Sequence, residues 1–65
     1  MREQAWRVLH RLQGLLGSRP LSATISIQFL ASDLDIPEAS VRRSIQELRK
    51  LRYRIRLEQT DISFR

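Results

Sequence analysis

Residues 27–51 read IQFLASDLDIPEASVRRSIQELRKL and contain two apolar repeats separated by a break. The first repeat has helical spacing and consists of Ile27, Leu30, Ala31 and Leu34. Pro37 lies in the break, and proline is tolerated in the first turn of a helix but not deeper inside one. The second repeat also has helical spacing and consists of Val41, Ile45, Leu48 and Leu51. The stretch therefore predicts a helix over 27–34, a tight turn, and a helix over 37–51.

The second of these helices carries Arg42 and Arg43 on the side opposite its apolar stripe. Two short helices joined by a tight turn, the second with basic residues facing outward, are typical of a helix-turn-helix. The net charge of the chain is +5, whereas residues 42–56 alone contain seven basic residues and one acidic residue, Glu47. Such a cluster favours a polyanionic partner, because each phosphate contact releases counterions. The alternative is a solvated basic face that only keeps the protein in solution.

The segments before this stretch predict one more helix and a short strand. Residues 3–16 carry an apolar stripe made of Ala5, Val8, Leu9, Leu12, Leu15 and Leu16. Gly17 follows, at the position where a left-handed conformation commonly ends a helix. Residues 21–25 (LSATI) include β-branched side chains and predict a short strand that pairs with a later hairpin. Ser26 then stands at the N-cap position of the helix over 27–34.

The C-terminal segment predicts a β-hairpin. Residues 53–58 alternate between apolar and charged side chains, and residues 61–65 repeat the alternation around Ile62 and Phe64. The polar residues 59–61 lie between the two runs and predict a turn. The hairpin would have a buried apolar face and a basic open face. A hairpin that directly follows the second helix of a helix-turn-helix is a wing.

This order of elements resembles the winged helix-turn-helix superfamily. Residues 26–55 are similar to the N-terminal DNA-binding domain of biotin-repressor-type and DeoR-type bacterial regulators, and the similarity extends over residues 8–64. The family pattern is met by Ser26, Leu30, Ala31, Leu34, Val41, Ile45, Leu48 and Ile55. Sixty-five residues allow one domain. The resemblance implies a single α+β domain over residues 1–65, mostly α: a three-helix winged helix-turn-helix with a short strand and a C-terminal β-hairpin wing.

The chain departs from the family pattern in its turns. Asp35 and Arg52 stand where the family has glycine, which predicts left-handed backbone at both positions. Pro37 stands where the family has a serine cap. The glycine-rich wing tip of the family is replaced by the short polar segment 59–61.

The resemblance implies binding to double-stranded DNA and a role as a transcriptional regulator. The helix over 37–51 would enter the major groove, where arginine bonds guanine edges, glutamine bonds adenine edges, and small residues allow close approach. The residues expected nearest the bases are Ala39, Ser40, Arg42, Arg43 and Gln46. The residues expected to hold phosphates are Arg49, Lys50, Arg54 and Arg56.

A homodimer is expected, because one small domain provides little sequence specificity and paired half-sites provide more. Trp6 lies at the edge of the first apolar stripe, where it either covers the core or contacts a second subunit. Phe29 lies off the stripe of its helix and is either half covered by the first helix or exposed for a partner. The alternative function is a protein–protein interaction module in a larger assembly, whose basic hairpin docks on an acidic surface.

Neither a catalytic site nor a cofactor is expected. The chain has no cysteine and one histidine, His10, so the ligands of a structural zinc site are missing. Asp33, Asp35 and Glu38 are expected to cap helices. The alternative, a catalytic carboxylate pair, has no nucleophile, metal ligand or phosphate loop to act with it.

The sequence indicates no membrane segment. No apolar run approaches the ~20 residues that a membrane span needs. Arg7 and Arg11 interrupt the first apolar segment, so it has no signal-peptide core. A cytoplasmic protein is therefore the expectation. The sequence leaves open whether the chain is a whole regulator or the N-terminal part of a longer one.

Overall fold

A computed structural model describes residues 3–20 and 22–64 of the chain. These residues form three helices, α1 (Glu3–Leu16), α2 (Ile27–Leu34) and α3 (Glu38–Lys50). They also form three strands, β1 (Ile25–Ser26), β2 (Ile55–Glu58) and β3 (Asp61–Phe64). The predicted class, α+β with helix predominating, is confirmed. So is the expected layout, in which a short strand lies between the first two helices and a hairpin follows the third.

The helices bury the apolar stripes that predict them. The large side chains that are fully buried come from all three helices and from the hairpin: Val8, Leu12, Ile27, Leu30, Val41, Ile45, Leu48 and Ile62. α3 packs against both α1 and α2, so one core joins the three helices. All predicted stripe residues of α1 are buried except Leu15, which is half-buried against the same core.

The three described strands form one antiparallel sheet in the order β1-β3-β2. β3 is central, and its Ile62 is paired with Ile25 on one side and with Leu57 on the other. The predicted pairing of the short strand with the hairpin is therefore confirmed. The sheet also reaches α2, because the Ile27 N–H donates to the Thr60 carbonyl over 2.7 Å.

β1 is shorter than predicted and lies later in the chain. The sequence predicts a strand over 21–25, whereas the strand is Ile25–Ser26; Leu21 lies outside the described residues. The Ala23 N–H bonds the Pro20 carbonyl over 2.9 Å, and this turn replaces the first part of the predicted strand. Ser26 is the N-cap of α2 as predicted, since its Oγ accepts from the Phe29 N–H over 3.0 Å.

Other boundaries differ from the prediction by one or two residues. α3 is one residue shorter at each end than 37–51, because Pro37 is its extended N-cap residue. β2 begins at Ile55 and not at residue 53. Asp61 pairs with Glu58, so the hairpin turn contains only residues 59–60. The predicted end of the hairpin at Arg65 lies outside the described residues.

α2 and α3 end in the same way. After α2, the Ile36 N–H bonds the Ala31 carbonyl, and Asp35 is left-handed with φ 56°. After α3, the Tyr53 N–H bonds the Leu48 carbonyl over 3.1 Å, and Arg52 is left-handed with φ 71°. Each end is a Schellman motif, with a six-residue loop closed by the N–H that follows the left-handed residue. The left-handed conformations predicted for Asp35 and Arg52 are confirmed.

Two predictions about the helix ends are wrong. Leu51 continues the apolar spacing of α3, yet it is 51% exposed, because the helix ends at Lys50 and the chain turns there. Gly17 does not have a positive φ. Glycine is needed at this position for a different reason, because a Cβ on Gly17 would collide with the Gln13 carbonyl oxygen, to which the Gly17 N–H donates over 2.8 Å.

Asp33 does not cap a helix, contrary to prediction. Its carboxylate accepts two hydrogen bonds from the Arg11 guanidinium, one from Nε and one from Nη2, the latter over 3.1 Å. This bidentate ion pair joins α1 to α2 across their exposed sides. Asp35 does end α2 as a cap residue, and Glu38 lies in the first turn of α3, where it favours the helix dipole.

Candidate nucleic-acid interface

One side of α3 is exposed along its whole length, and we call it the α3 face. With 3.6 residues per turn, its members fall within an arc of about 120° centred near Gln46. They are Ala39, Arg42, Arg43, Gln46, Arg49 and Lys50, and all of them are exposed. The core residues of α3 lie on the other side of the helix, which fixes the direction in which this face points. The structure thus brings together six of the nine predicted DNA-contacting residues on one surface.

Ser40 lies away from the other predicted base-contacting residues. It is half-buried, and it lies about 120° around the helix from Gln46. Glu47, which is also half-buried, is on the same flank. Of the residues predicted to contact bases, Ser40 is therefore the one that the fold directs away from the centre of the α3 face.

The α3 face continues into the hairpin through a shallow groove, which we call the basic groove. The groove lies between the C-terminal end of α3 and the start of β2, and it is lined by Arg49, Tyr53, Arg54, Ile55 and Arg56. Three of the four predicted phosphate-contacting residues therefore lie around one groove, with Lys50 beside it on the α3 face. Arg56 also forms an exposed ion pair with Glu58, with Nη2 and Oε1 2.6 Å apart.

The charge changes sign along α3. At its N-terminal end, Asp35 and Glu38 line a second shallow groove between α2 and α3, together with Gln28 and Ser32. At its C-terminal end and in the segment that follows, residues 49–56 include five basic residues and no acidic residue. A polyanion is therefore attracted most strongly to the C-terminal half of the α3 face and to the basic groove.

The hairpin has no projecting tip. Its turn is two residues long, residues 59–60, and Gln59 takes a positive φ of 54°. The Thr60 carbonyl is bonded to the first residue of α2, so the turn lies against the helical part of the fold. The open face of β2, with Arg54 beside it and Arg56 on it, is therefore the part of the wing that is free for contacts.

The two aromatic residues predicted for a partner interface are exposed but far apart. Trp6 is 40% exposed, and its ring meets Tyr53 edge to face, with centroids 6.3 Å apart. Phe29 is 51% exposed and lines a groove with Leu15, Leu16 and Arg19 at the other end of α1. A helix rises 1.5 Å per residue, which separates these regions by roughly 15 Å along α1. Trp6 and Phe29 do not form one patch.

Tyr53 begins the alternating run 53–58, which predicts for it a position on the buried apolar face of the hairpin. The residue packs against the core and also lines the basic groove, because it follows the left-handed Arg52 and lies where α3 turns into β2. The alternation of residues 53–58 predicts the inward direction but gives no signal for this second role.

No protein-family model, curated protein or solved structure matches the chain. Within residues 3–20 and 22–64, no three side chains of the metal-binding types His, Cys, Asp and Glu are grouped to hold a metal ion. In the same ranges, no helix has both the length and the apolar character that crossing a membrane requires. A functional assignment therefore depends on the fold and on the charge and geometry of the α3 face.

Proposed function

We propose that the chain is a winged helix-turn-helix domain that binds double-stranded DNA and acts as a transcriptional regulator in the cytoplasm. The observation that supports this most is the continuity of basic side chains from the α3 face into the basic groove. Positive charge that is spread over a protein surface without such alignment would equally serve solubility. In this chain the positive charge follows the exposed side of one α-helix, and the major groove is wide enough to admit an α-helix.

In this proposal α3 lies in the major groove and the α3 face reads the bases. Arg42 and Arg43 offer guanidinium groups that bond the O6 and N7 atoms of guanine, and Gln46 bonds the N6 and N7 atoms of adenine. Ala39 has no side chain beyond Cβ, so the helix can approach the base edges there. Ser40 contributes less than these residues, since it is half-buried on the flank of the helix.

The phosphate contacts come from the far end of α3 and from the hairpin. Arg49 and Lys50 extend from the last turn of α3, and Arg54 and Arg56 extend from the hairpin across the basic groove. Contacts of this kind determine orientation and give salt-dependent affinity, but they carry no base information. The short turn at residues 59–60 implies that the wing contacts the DNA backbone along β2 and does not insert into the minor groove.

We further propose that the domain acts as a homodimer on paired half-sites. Phe29 is a better candidate for the interface than Trp6, because it is more exposed and lies beside the apolar side chains of Leu15 and Leu16. Sedimentation of wild type and Phe29→Ser, alone and with a palindromic duplex, tests this. Loss of the two-domain complex in the variant supports the interface, and a wild-type complex with one domain per duplex refutes the homodimer.

The main test is binding to a mixed-sequence duplex across a salt series. Wild type is compared with Arg42→Ala/Arg43→Ala. The control is Arg7→Glu, which lowers the net charge by the same two units at an exposed position of α1. We expect affinity to fall steeply with salt, as log K falls by about 0.9 per phosphate contact for each tenfold rise in salt. The α3 variant should lose at least tenfold in affinity, and the control should lose much less.

Two results would contradict the proposal. Equal losses in both variants would show that net charge, and not the α3 face, determines the affinity. No binding at about 100 mM salt with protein near 100 µM, where ordinary non-specific contacts are still detectable, would exclude DNA as the partner. The basic surface would then belong to a protein–protein interaction module, and co-purification would identify the partner.

A further inference from the structure

The basic groove has an aromatic end, and contacts with duplex DNA do not use it. Tyr53 lines the groove, and the Trp6 ring lies against the Tyr53 ring at an interplanar angle of 88°. Trp6 remains 40% exposed in this arrangement. Contacts to duplex phosphates need the cationic groups and not the rings, because the faces of paired bases are covered by their neighbours in the stack.

The groove that Tyr53 lines also contains guanidinium groups that are free to bind an anion. In the part of the chain that the structure describes, the ion pairs join Arg11 to Asp33 and Arg56 to Glu58. Arg49 and Arg54, which line the groove together with Tyr53, take part in neither pair. Their guanidinium groups are exposed and carry no acidic counterpart within residues 49–56.

The position of the Tyr53 ring is fixed by the fold. Its backbone N–H closes the Schellman motif at the end of α3 through the Leu48 carbonyl, and its side chain packs against the core. Trp6 belongs to α1 and meets the Tyr53 ring edge to face. Tyr53 lines the groove, and Trp6 extends the aromatic surface from Tyr53 with a ring that is 40% exposed. Rings that are held in advance lose little conformational freedom when a flat ligand stacks on them.

We propose that the basic groove binds an unpaired nucleotide of single-stranded nucleic acid. Where such a nucleotide is present, Arg49 and Arg54 hold its phosphate in place of a duplex phosphate, and the base stacks on the exposed surface of the Trp6–Tyr53 pair. Grooves that combine basic side chains with aromatic stacking platforms are the common means of binding single strands without sequence preference. A domain that also binds a duplex through the α3 face would thus favour a duplex with an unpaired tail.

The test compares fluorescently labelled nucleic acids that differ only in the tail. The ligands are a blunt duplex, the same duplex with a tail of four thymidines, and the same duplex with a tail of four abasic residues. The abasic tail keeps the phosphates and removes the bases. We expect the thymidine tail to increase affinity at least about fivefold over the blunt duplex, as expected for stacking of one base, and the abasic tail to increase it by less than twofold.

Tryptophan fluorescence gives a second readout, because Trp6 is the only tryptophan in the chain. A single-stranded oligothymidylate should quench its emission, whereas an abasic oligonucleotide and a polyglutamate peptide should not. This readout does not depend on duplex binding. If the blunt duplex fails to bind, the proposed function is refuted, and quenching by oligothymidylate still tests the groove.

Variants locate the effect in the groove. Trp6→Ser changes an exposed side chain, and Arg49→Ala removes a free guanidinium; either should abolish most of the preference for the thymidine tail. Arg19→Ala, an exposed position away from this groove, should keep the preference. The proposal is overturned if thymidine and abasic tails bind equally, if emission does not change with oligothymidylate, or if Trp6→Ser retains the full preference.

Discussion

Replacement of Arg52 tests the Schellman motif at the end of α3 most directly. It has φ 71° in the Schellman motif, where glycine is the residue usually found. Its N–H donates to the Arg49 carbonyl over 3.0 Å, and its side chain is exposed. Arg52→Gly therefore removes backbone strain without removing a buried contact. We expect this substitution to stabilise the domain.

The size of the effect follows from two opposing terms. A left-handed conformation costs a residue with a Cβ roughly 1–2 kcal/mol. Glycine avoids this cost but makes the unfolded chain more flexible, which reduces the gain by about 0.5–1 kcal/mol. The expected net gain in the free energy of unfolding is therefore about 0.5–1 kcal/mol. For a domain of this size, a change of 1 kcal/mol moves Tm by roughly 4–8 °C.

The control is Arg52→Ala, which removes the same charge but retains the Cβ. Urea unfolding followed by circular dichroism measures both variants beside wild type. The glycine variant should be more stable than the alanine variant by about 0.5–1 kcal/mol at an unchanged slope. Equal stability of the two variants would refute the reasoning, because it would mean that residue 52 is not held in a left-handed conformation.

Three further experiments test other contacts. Gly17→Ala should destabilise the domain by more than about 1 kcal/mol, because its Cβ collides with the Gln13 carbonyl; an unchanged urea midpoint would contradict this. A double-mutant cycle with Arg11→Ala and Asp33→Ala should give a coupling of about 0.5 kcal/mol, since the side chains are 45% and 26% exposed; a coupling of zero at low salt would show that the pair contributes nothing. Gln59→Gly should raise the free energy of unfolding by about 0.5–1 kcal/mol by relieving its positive φ, with DNA affinity unchanged; lower stability in thermal unfolding would exclude the left-handed turn.

Apolar spacing predicted the helices well because burial repeats with the helical period. The stripe residues of α1 and α3 are buried with two exceptions: Leu15 is half-buried, and Leu51 lies beyond the last helical residue. Spacing alone gives no signal for where a helix stops. The left-handed positions Asp35 and Arg52 were predicted because each stands where a glycine is expected. Gln59 lies in the segment that replaces a glycine-rich tip, and its positive φ was not predicted.

Contacts between distant residues account for most of what the sequence did not predict. Asp33 has no local sign of its pairing with Arg11, because the two residues meet only when α1 packs beside α2. Tyr53 lies on the apolar side of an alternating run, so periodicity places it in the core and does not reveal its exposed neighbour Trp6. The α3 face was predictable from helical periodicity, since the residues opposite a buried stripe are exposed. Predicting the basic groove also requires the position of the turn after α3, which helical periodicity does not give.

The order of strands has a consequence for how the domain forms during synthesis. β3 is the central strand, and β1 and β2 each pair with it and not with each other in the described sheet. Because a nascent chain leaves the ribosome from its N-terminus, the three helices are complete before residues 61–64 emerge. Until then β1 has no strand partner, and the first N–H of α2 lacks its acceptor on Thr60. The last strand to be translated is therefore the one that closes the sheet.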